Sequence, residues 1–334
     1  MLNFVAAWQL AGLKRGASSG WRKIGPGQGD ALSHSDNSSQ RRWFLFGVWV
    51  VLSLALFAKP LLGLMQLAWQ DETASHILLI PFISAGLLYF YPKGEVSKSG
   101  FAIRPAAAFL IFAALVGFLP KVCLSCSLRD QLSLYTLSLV LLLVAGFVLI
   151  LGSAKATASS FALAFLLFTV PLPNLILNKI IYWLQAGSAA IAEVLFDLSG
   201  VPVIRDGFVF RLPKMSIEVA AECSGIRSSL ALLVLGLLLA HFSFRPVWKR
   251  VVFIFAGLCV MLIKNGIRIA TLTLLGNYVD PDFLYGNLHH RGGVVFFLIG
   301  LALLWPVYWY LRKGEQDSEE SITGQVPAQV VAKR

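Results

Sequence analysis

Charged residues are scarce in this chain of 334 residues: they make up 13% of it, whereas 57% is hydrophobic. A soluble globular domain is roughly one quarter charged and one half apolar. Several apolar runs approach the roughly 20 residues with which a helix crosses the hydrocarbon core of a bilayer. The composition therefore excludes an ordinary soluble enzyme and predicts an all-α polytopic membrane protein.

Motifs of several common functions are missing as well. The sequence has no glycine-rich phosphate loop, no paired-carboxylate site and no histidine cluster spaced for a metal. It also has no basic stripe or stacking platform for nucleic acid. The net charge of +11 fits the lysine and arginine that collect in cytoplasmic loops of membrane proteins. We therefore expect membrane lipids around the chain and no nucleic-acid partner.

Polar segments flank the apolar part of the chain. Residues 1–42 are rich in glycine and serine and lack an apolar core long enough for a cleaved signal peptide, so we expect a disordered cytoplasmic tail. Residues 313–334 are predicted to be a second, short cytoplasmic tail. Neither could hold a catalytic domain, so any chemistry belongs to the membrane-embedded domain, residues 43–312.

Apolar runs between helix breakers predict about eight transmembrane helices, within a range of seven to nine. A more amphipathic stretch, 175–198, is expected to lie in or near the interface. The predicted crossings are 43–66, 76–92, 105–120, 132–151, 158–173, 224–243, 250–275 and 292–312.

The positive-inside rule orients these helices. Most basic loops fall on one side, including those around 93–104 and 245–250, whereas Gln70–Glu72 and 199–222 fall on the other. The loop with Lys121 and Arg129 is a mild exception. Both termini are therefore predicted to be cytoplasmic.

The outer segment 200–220 differs from its surroundings. Apolar residues alternate there with polar ones, which predicts short strands, as in a hairpin, that lead directly into Cys223. The alternating apolar residues are Val201, Val203, Phe208, Phe210, Ile217 and Val219.

Cys223 is the candidate nucleophile. It stands in Glu222-Cys-Ser-Gly-Ile-Arg-Ser228, where the polar segment turns into a helix. In the first turn of that helix, the helix dipole would lower the pKa of the thiol, and Arg227 would add a positive charge one turn later. A cysteine in a membrane helix is more often a small apolar filler, and Cys259 has that character.

Two later helices bring polar residues to the same outer face. Arg268 lies 18 residues after Arg250, about 27 Å along a helix, with Asn265 on the same helical face. Arg268 either snorkels to the interface or holds the oxyanion of a tetrahedral intermediate. His289 or His290, at the start of the last helix, is either a polar anchor or the general base beside a thiol.

Three other residues are expected on the outer side. His76 begins a helix there, where it either caps the helix or touches substrate. Cys123 and Cys126 lie in a loop, where they form a disulfide or, less readily, a zinc site with only two ligands. We assign these cysteines no catalytic role.

These motifs, in this order, resemble the exosortase/archaeosortase family of multi-pass membrane transpeptidases, from about residue 43 to 312. Three positions depart from the family: Ile77 replaces a common glycine, Val294 an aromatic residue, and His289 is doubled, although its spacing from Gly293 favours it over His290. The resemblance rests on residues 222–228, Asn265-Gly-Ile-Arg268-Ile, His289 to Gly293, Ser75-His76 and Val203-Ile-Arg-Asp-Gly207.

The resemblance implies a cysteine protease or transpeptidase of the cell membrane, with its active site on the outer face. An outer face that tolerates disulfides fits a bacterial inner membrane, and an archaeal membrane is the alternative. Cys223 would form a thioester, assisted by Arg268 and His289, without a metal or organic cofactor. The partners would be exported proteins with a C-terminal sorting signal like PEP-CTERM: a short motif, a membrane helix and a basic cluster. Residues with supporting or substrate-binding roles would be Glu222, Arg227, Asn265, His76 and His290.

Two other functions compete with transfer to a surface acceptor. An intramembrane cysteine protease that only hydrolyses its substrate would use the same residues. A polysaccharide export component would line a pathway with Arg268 and His289, but it would favour mid-membrane charges and repeated halves. The predicted spans are largely apolar at mid-depth, and no repeat is evident.

Overall fold

The computed structural model describes residues 28–90, 101–123, 125–213, 215–280 and 293–324, with the backbone alone at 28–38, 222–223 and 314–324. The described part is mostly helical and contains one small sheet, as the sequence predicts. Its α-helices are α1 (Gln28–Leu56), α2 (Ala58–Gln70), α3 (Ile80–Phe90), α4 (Ile103–Val122), α5 (Leu128–Leu151), α6 (Ser153–Ala158), α7 (Ser160–Phe165), α8 (Asn174–Leu198), α9 (Ile226–Ser243), α10 (Val247–Tyr278) and α11 (Gly293–Gly324). Short 3₁₀ helices occupy Glu72–Leu78, Leu166–Thr169 and Ala221–Ser224.

The number of candidate membrane spans agrees with the prediction. In the described residues, 7 helical stretches are long and apolar enough to cross a bilayer. The number rises to 8 if the bent pair α1 and α2, which turns by 76° next to Phe57, is counted as one span. The chain is therefore a multi-pass membrane protein.

The two ends of the helix bundle can be recognised from polar contacts. At one end, Arg129 at the start of α5 forms an ion pair with Asp71 and donates a hydrogen bond of 2.9 Å to the carbonyl of Leu172. The neighbouring Glu72 forms an ion pair of 2.9 Å with Arg227 at the start of α9. We call this the Asp71 end.

The opposite end carries buried and half-buried cations. Lys249, at the start of α10, donates to the carbonyl of Leu311 in α11 over 2.9 Å. Arg250 donates to the carbonyl of Phe244 over 2.8 Å. We call this the Arg250 end, and α9, α10 and α11 run between the two ends around a shared apolar core that includes Leu232, Phe253, Val260 and Leu304.

The predicted crossing at 158–173 is not one continuous helix. After Gly152, whose φ is 95°, the chain forms α6, α7 and a 3₁₀ turn and then an extended segment that contains Pro171 and Pro173. It reaches the Asp71 end at Leu172, where Arg129 binds it. The two prolines explain why the helical path ends after Thr169, because proline removes a backbone donor and clashes with the preceding helical turn.

Helix α8 makes two contacts at the Asp71 end. Asn174 donates to Asp130 over 2.8 Å, and Ser188 accepts a bond of 3.0 Å from Asn265. These residues are about 21 Å apart along the helix, and the second half of α8 packs along α10, where a Cβ on Gly187 would meet Leu262 and one on Gly266 would meet Ile191. By length and composition alone α8 also qualifies as a span, and its interfacial depth stays a prediction.

A three-stranded antiparallel sheet follows α8, with the order β1 (Ile204–Asp206), β2 (Val209–Arg211) and β3 (Ser216–Glu218). Phe210 and Val219 are buried against α8 and α10. Gln185 of α8 donates to the carbonyl of Val219 over 2.8 Å. The predicted strand segment is confirmed, and its contacts fix where the chain enters the Cys223 turn.

Helix boundaries extend beyond the predicted membrane domain. Helix α1 begins at Gln28, so residues 28–42 are helical rather than disordered, and residues 1–27 lie outside the described part. Helix α11 continues to Gly324, and α10 reaches Tyr278. An amphipathic or polar extension costs a helix little once an apolar span has nucleated it.

Candidate functional site

Cys223 does not lie in the first turn of an α-helix. It is in the 3₁₀ turn Ala221–Ser224, which ends at Gly225 with a φ of 70°, and α9 begins only at Ile226. The predicted placement is wrong because a left-handed residue cannot continue a right-handed helix, and glycine adopts this conformation readily. Arg227 is therefore not one α-helical turn after Cys223.

We call the 3₁₀ turn Ala221–Ser224 the cysteine turn. Gly225, which follows it, packs against α10. A Cβ atom on Gly225 would lie 2.5 Å from Oδ1 of Asn265, so this close approach requires glycine. The Nδ2 of Asn265 donates to Ser188 of α8 over 3.0 Å, and Asn265 is buried. The structure thus brings together two of the motifs singled out in the sequence and holds them against α8.

Lys264 is a polar residue of this site that the sequence interpretation missed. The residue is 1% exposed, and its Nζ donates a hydrogen bond to Oγ of Ser228. That hydroxyl donates in turn to the carbonyl of Gly225 over 3.0 Å. A lysine inside an apolar span, directly before Asn265, is itself a sequence signal for function.

Arg268 follows one turn after Lys264 in the unbroken helix α10. It is half-buried, and its positive charge acts on Lys264. Asn265 and Arg268 lie three residues apart and so share a helical face. The structure therefore places Arg268 about one turn beyond the contact between Gly225 and Asn265.

Arg227 has a described partner that the sequence did not indicate. It forms an ion pair with Glu72 across 2.9 Å, and the two side chains are 62% and 76% exposed. Glu222, for which the resemblance implies a supporting or substrate-binding role, has its side chain outside the described residues. An exposed pair contributes little to stability, so this contact is better suited to orienting Arg227 at the surface.

The last helix begins at the same end as the cysteine turn. Gly300 of α11 packs near Lys264, since a Cβ there would lie 3.6 Å from Cδ of the lysine. Gly293, the first residue of α11, is about 10 Å further along the axis, toward the Asp71 end. His289 and His290 precede it and lie outside the described residues, so their contacts stay predictions.

His76 lies near the Asp71 end, in the last turn of the 3₁₀ helix Glu72–Leu78. It is half-buried, and it lies close enough to Arg129 for the two charges to interact. The next residue, Ile77, is 1% exposed and packs with Leu64. Ile77, which stands where the family commonly has glycine, is therefore a packed core residue.

The remaining cysteines have separate roles. Cys123 and Cys126 form a disulfide with a Cα–Cα distance of 5.5 Å, one of the two outcomes that the sequence allowed. Cys259 is a free thiol, exposed on the surface of the bundle. Among the described residues, no group of three or more histidine, cysteine and acidic side chains could hold a metal ion.

A groove of about 850 Å³ lies on another flank of the protein. Parts of α1, α2, α4 and α5 form its walls, and Lys59 and Lys121 are among its lining residues. Arg268, the candidate catalytic residue whose side chain the structure describes, does not line this groove.

Comparisons with known proteins agree with these features. The family model described as transmembrane exosortase (Exosortase_EpsH) matches residues 68–306, a range that contains Cys223, Arg268 and His289. A search of curated proteins and a search of solved structures each find no match. Because the match covers well over half of the chain, the protein belongs to the transmembrane exosortase family.

Proposed function

We propose that this protein is a membrane cysteine peptidase or transpeptidase that cleaves C-terminal sorting signals through a thioester on Cys223. The observation that carries the proposal is the contact of Gly225 with Asn265. This contact holds the turn of the candidate nucleophile against the helix that bears Arg268. A thiol beside a fixed cation is the arrangement that acyl transfer requires.

The first half of the reaction forms the thioester. The Cys223 thiolate attacks the carbonyl carbon of the scissile peptide, a carbon–sulfur bond forms, and the carbonyl electron pair moves to oxygen. Arg268 stabilises that oxyanion. The carbonyl re-forms as the carbon–nitrogen bond breaks, and His289 gives a proton to the leaving amine.

The second half releases the product. His289 takes a proton from an incoming amine or from water, which attacks the thioester carbon, and Cys223 leaves as thiolate. An amine acceptor on the cell surface gives transfer, whereas water gives hydrolysis. Because the same residues serve both outcomes, the new C-terminus of the product distinguishes transpeptidase from protease.

The substrate proposed is an exported protein with a short motif like Pro-Glu-Pro, a membrane helix and a basic cluster at its C-terminus. Its helix would pack against the bundle and present the motif at the Asp71 end, which we assign to the outer face. Two observations support this side. The disulfide of Cys123 and Cys126 lies there and suits an oxidising compartment, and Lys249 and Arg250 lie at the opposite end, as the positive-inside rule expects.

Co-expression with such a protein tests the proposal. We expect the wild type to shorten the substrate at its signal, and Cys223→Ala and Cys223→Ser to leave it intact, as judged by its size and C-terminal mass. A C-terminus bearing an added group indicates transfer, and a free carboxyl indicates hydrolysis. Undiminished processing by Cys223→Ala would overturn the proposed mechanism.

A further inference from the structure

Arg227 is not placed to stabilise a thiolate on Cys223. Arg227 lies at the surface in its ion pair with Glu72, and Cys223 precedes α9 instead of lying in its first turn. Among the described residues, the cation on the buried side of the turn is Lys264. It is connected to the turn by its hydrogen bond to Ser228. Since Ser228 also donates to the carbonyl of Gly225 over 3.0 Å, the ammonium group of Lys264 is linked to the backbone two residues after Cys223.

The surroundings of Lys264 call for an anion. A lysine that is 1% exposed within a membrane span is costly unless its charge is neutralised. Its described partner, Ser228, is neutral. The described residues include no carboxylate in an ion pair with Lys264, and the next charge along the helix is another cation, Arg268.

We propose that Lys264 is a positioning residue for the nucleophile, and that its buried ammonium group holds Cys223 as the thiolate. The inference rests on the proposed function, in which Cys223 attacks the substrate. Breaking the S–H bond of Cys223 and forming an N–H bond on the Lys264 amine creates both charges together. Each charge then neutralises the other in a site of low dielectric constant.

The other neighbours of the turn that the structure describes do not supply this charge from the buried side. Helix α8 contributes the neutral Gln185 and Ser188, and α11 contributes Gly300. Glu193 of α8 is paired with Arg205 over 2.7 Å. Among the described residues, the other charged groups near the turn are Arg268, the surface pair Arg227 and Glu72, and the sheet residue Glu218. The side chain of Glu222 and the residues His289 to Arg291 lie outside the described part.

The rate of alkylation of Cys223 by iodoacetamide, measured against pH, tests the inference. The full-length protein would carry Cys259→Ala, which removes the other free thiol. We expect the midpoint to lie below the usual thiol value of about 8.5. Lys264→Gln, which keeps a hydrogen-bond donor but removes the charge, should raise the midpoint by about one to two pH units, and Lys264→Arg should keep it low.

Lys249→Gln is the matched control. Lys249 is a buried lysine of the same helix, 7% exposed, but it binds Leu311 at the Arg250 end. Its replacement should leave the midpoint unchanged. Ser228→Ala adds a second control, because it removes the hydrogen bond and keeps the charge, so the midpoint should stay low.

Two results separate this inference from the proposed function. If Cys223→Ala abolishes processing while Lys264→Gln leaves the alkylation midpoint unchanged, the proposed function stands and the role of Lys264 is overturned. If Lys264→Gln raises the midpoint but Cys223→Ala still processes substrate, the contact between lysine and thiolate stands and the proposed function falls.

Discussion

Arg268 is the residue whose replacement most directly tests stabilisation of the oxyanion. Removal of one oxyanion donor lowers the rate by about 10² to 10³ in enzymes of this chemistry. We expect Arg268→Gln to reduce substrate processing by that factor, measured as the initial rate at equal protein level. Arg268→Lys should retain part of the activity, because it keeps the charge but not the planar geometry.

Arg250→Gln serves as the control for this comparison. Arg250 lies on the same helix but bonds to Phe244 at the opposite end, so its loss should leave the processing rate nearly intact. An Arg268→Gln variant that folds normally and processes at the wild-type rate would remove Arg268 from the mechanism.

Gly225 permits a second test at the scale of single residues. Gly225→Ala places a methyl group in a backbone conformation with a φ of 70° and at 2.5 Å from Asn265. The conformation alone costs about 1 to 2 kcal/mol. We expect a lower melting temperature together with a large loss of processing, because Asn265 must move away from the cysteine turn.

Gly200→Ala separates the effect of backbone strain from the effect of the contact with Asn265. Gly200 also has a φ of 70°, but no atom lies within 4 Å of its added Cβ. Because its backbone strain is similar, Gly200→Ala should lower the melting temperature by a similar amount and leave processing unchanged. Equal losses of processing in both variants would show that strain, and not the contact with Asn265, is responsible.

Residue patterns alone could predict part of this site. The spacing of Arg250 and Arg268 on one helix predicted that Arg268 reaches the far end, and α10 is unbroken between them. The partner of Arg227 could not be predicted, because Glu72 lies 155 residues away in sequence and approaches only when the bundle is folded. Lys264 was missed because it follows an apolar run, Val260 to Ile263, although a charge within an apolar span is informative for that reason.

At the scale of elements, the Asp71 end is held by a polar network between α2, α5 and the segment before α8. Burial acts to raise the pKa of the Asp71 carboxyl, but hydrogen bonds from Thr73 and the charge of Arg129 outweigh it and lower the pKa below its usual 3.8. A group with a lowered folded-state pKa stabilises the fold above its unfolded pKa and loses that effect as the pH falls through the folded value.

Asp71→Asn should therefore destabilise the protein at neutral pH by about 1 to 3 kcal/mol, measured by thermal unfolding in detergent. The difference from wild type should be full above roughly pH 5 and should shrink as the pH falls through the lowered pKa. Asp206→Asn is the control: its partner is Arg211, the two side chains are 73% and 61% exposed, and such pairs contribute little. A difference that stays constant to low pH would exclude ionisation of Asp71 as its cause.

Elements differed in how well the sequence predicted them. Long apolar runs such as α5 and α10 were predicted closely, since composition and length suffice for a membrane helix. The strands β1 to β3 were predicted from alternation of apolar and polar residues. The bend of 76° at α1 and α2 depends on packing between helices, which a single apolar run does not encode. The end of the fifth crossing, by contrast, is indicated in the sequence by Pro171 and Pro173.

At the scale of the whole molecule, the orientation in the membrane determines which compartment the site faces. We expect Glu72→Cys to react from outside intact cells with a membrane-impermeant maleimide, in a background with Cys223→Ala and Cys259→Ala. Glu72 is exposed at the Asp71 end. Val247→Cys, exposed at the Arg250 end, should react only after the membrane is opened.

The reverse labelling pattern would place the cysteine turn in the cytoplasm and would contradict cleavage on the outer face. It would also conflict with the basic residues Lys249 and Arg250 near the start of α10, which the positive-inside rule assigns to the cytoplasm.

The most direct test of the central claim is the intact mass of the protein isolated during processing of a substrate with a C-terminal sorting signal. The account predicts a covalent adduct equal to the shortened substrate, attached at Cys223, released by hydroxylamine and absent in Cys223→Ala. A thioester of this kind is the intermediate of nucleophilic cysteine catalysis. Processing that proceeds with the same adduct in Cys223→Ala, or an adduct attached elsewhere, would contradict the account.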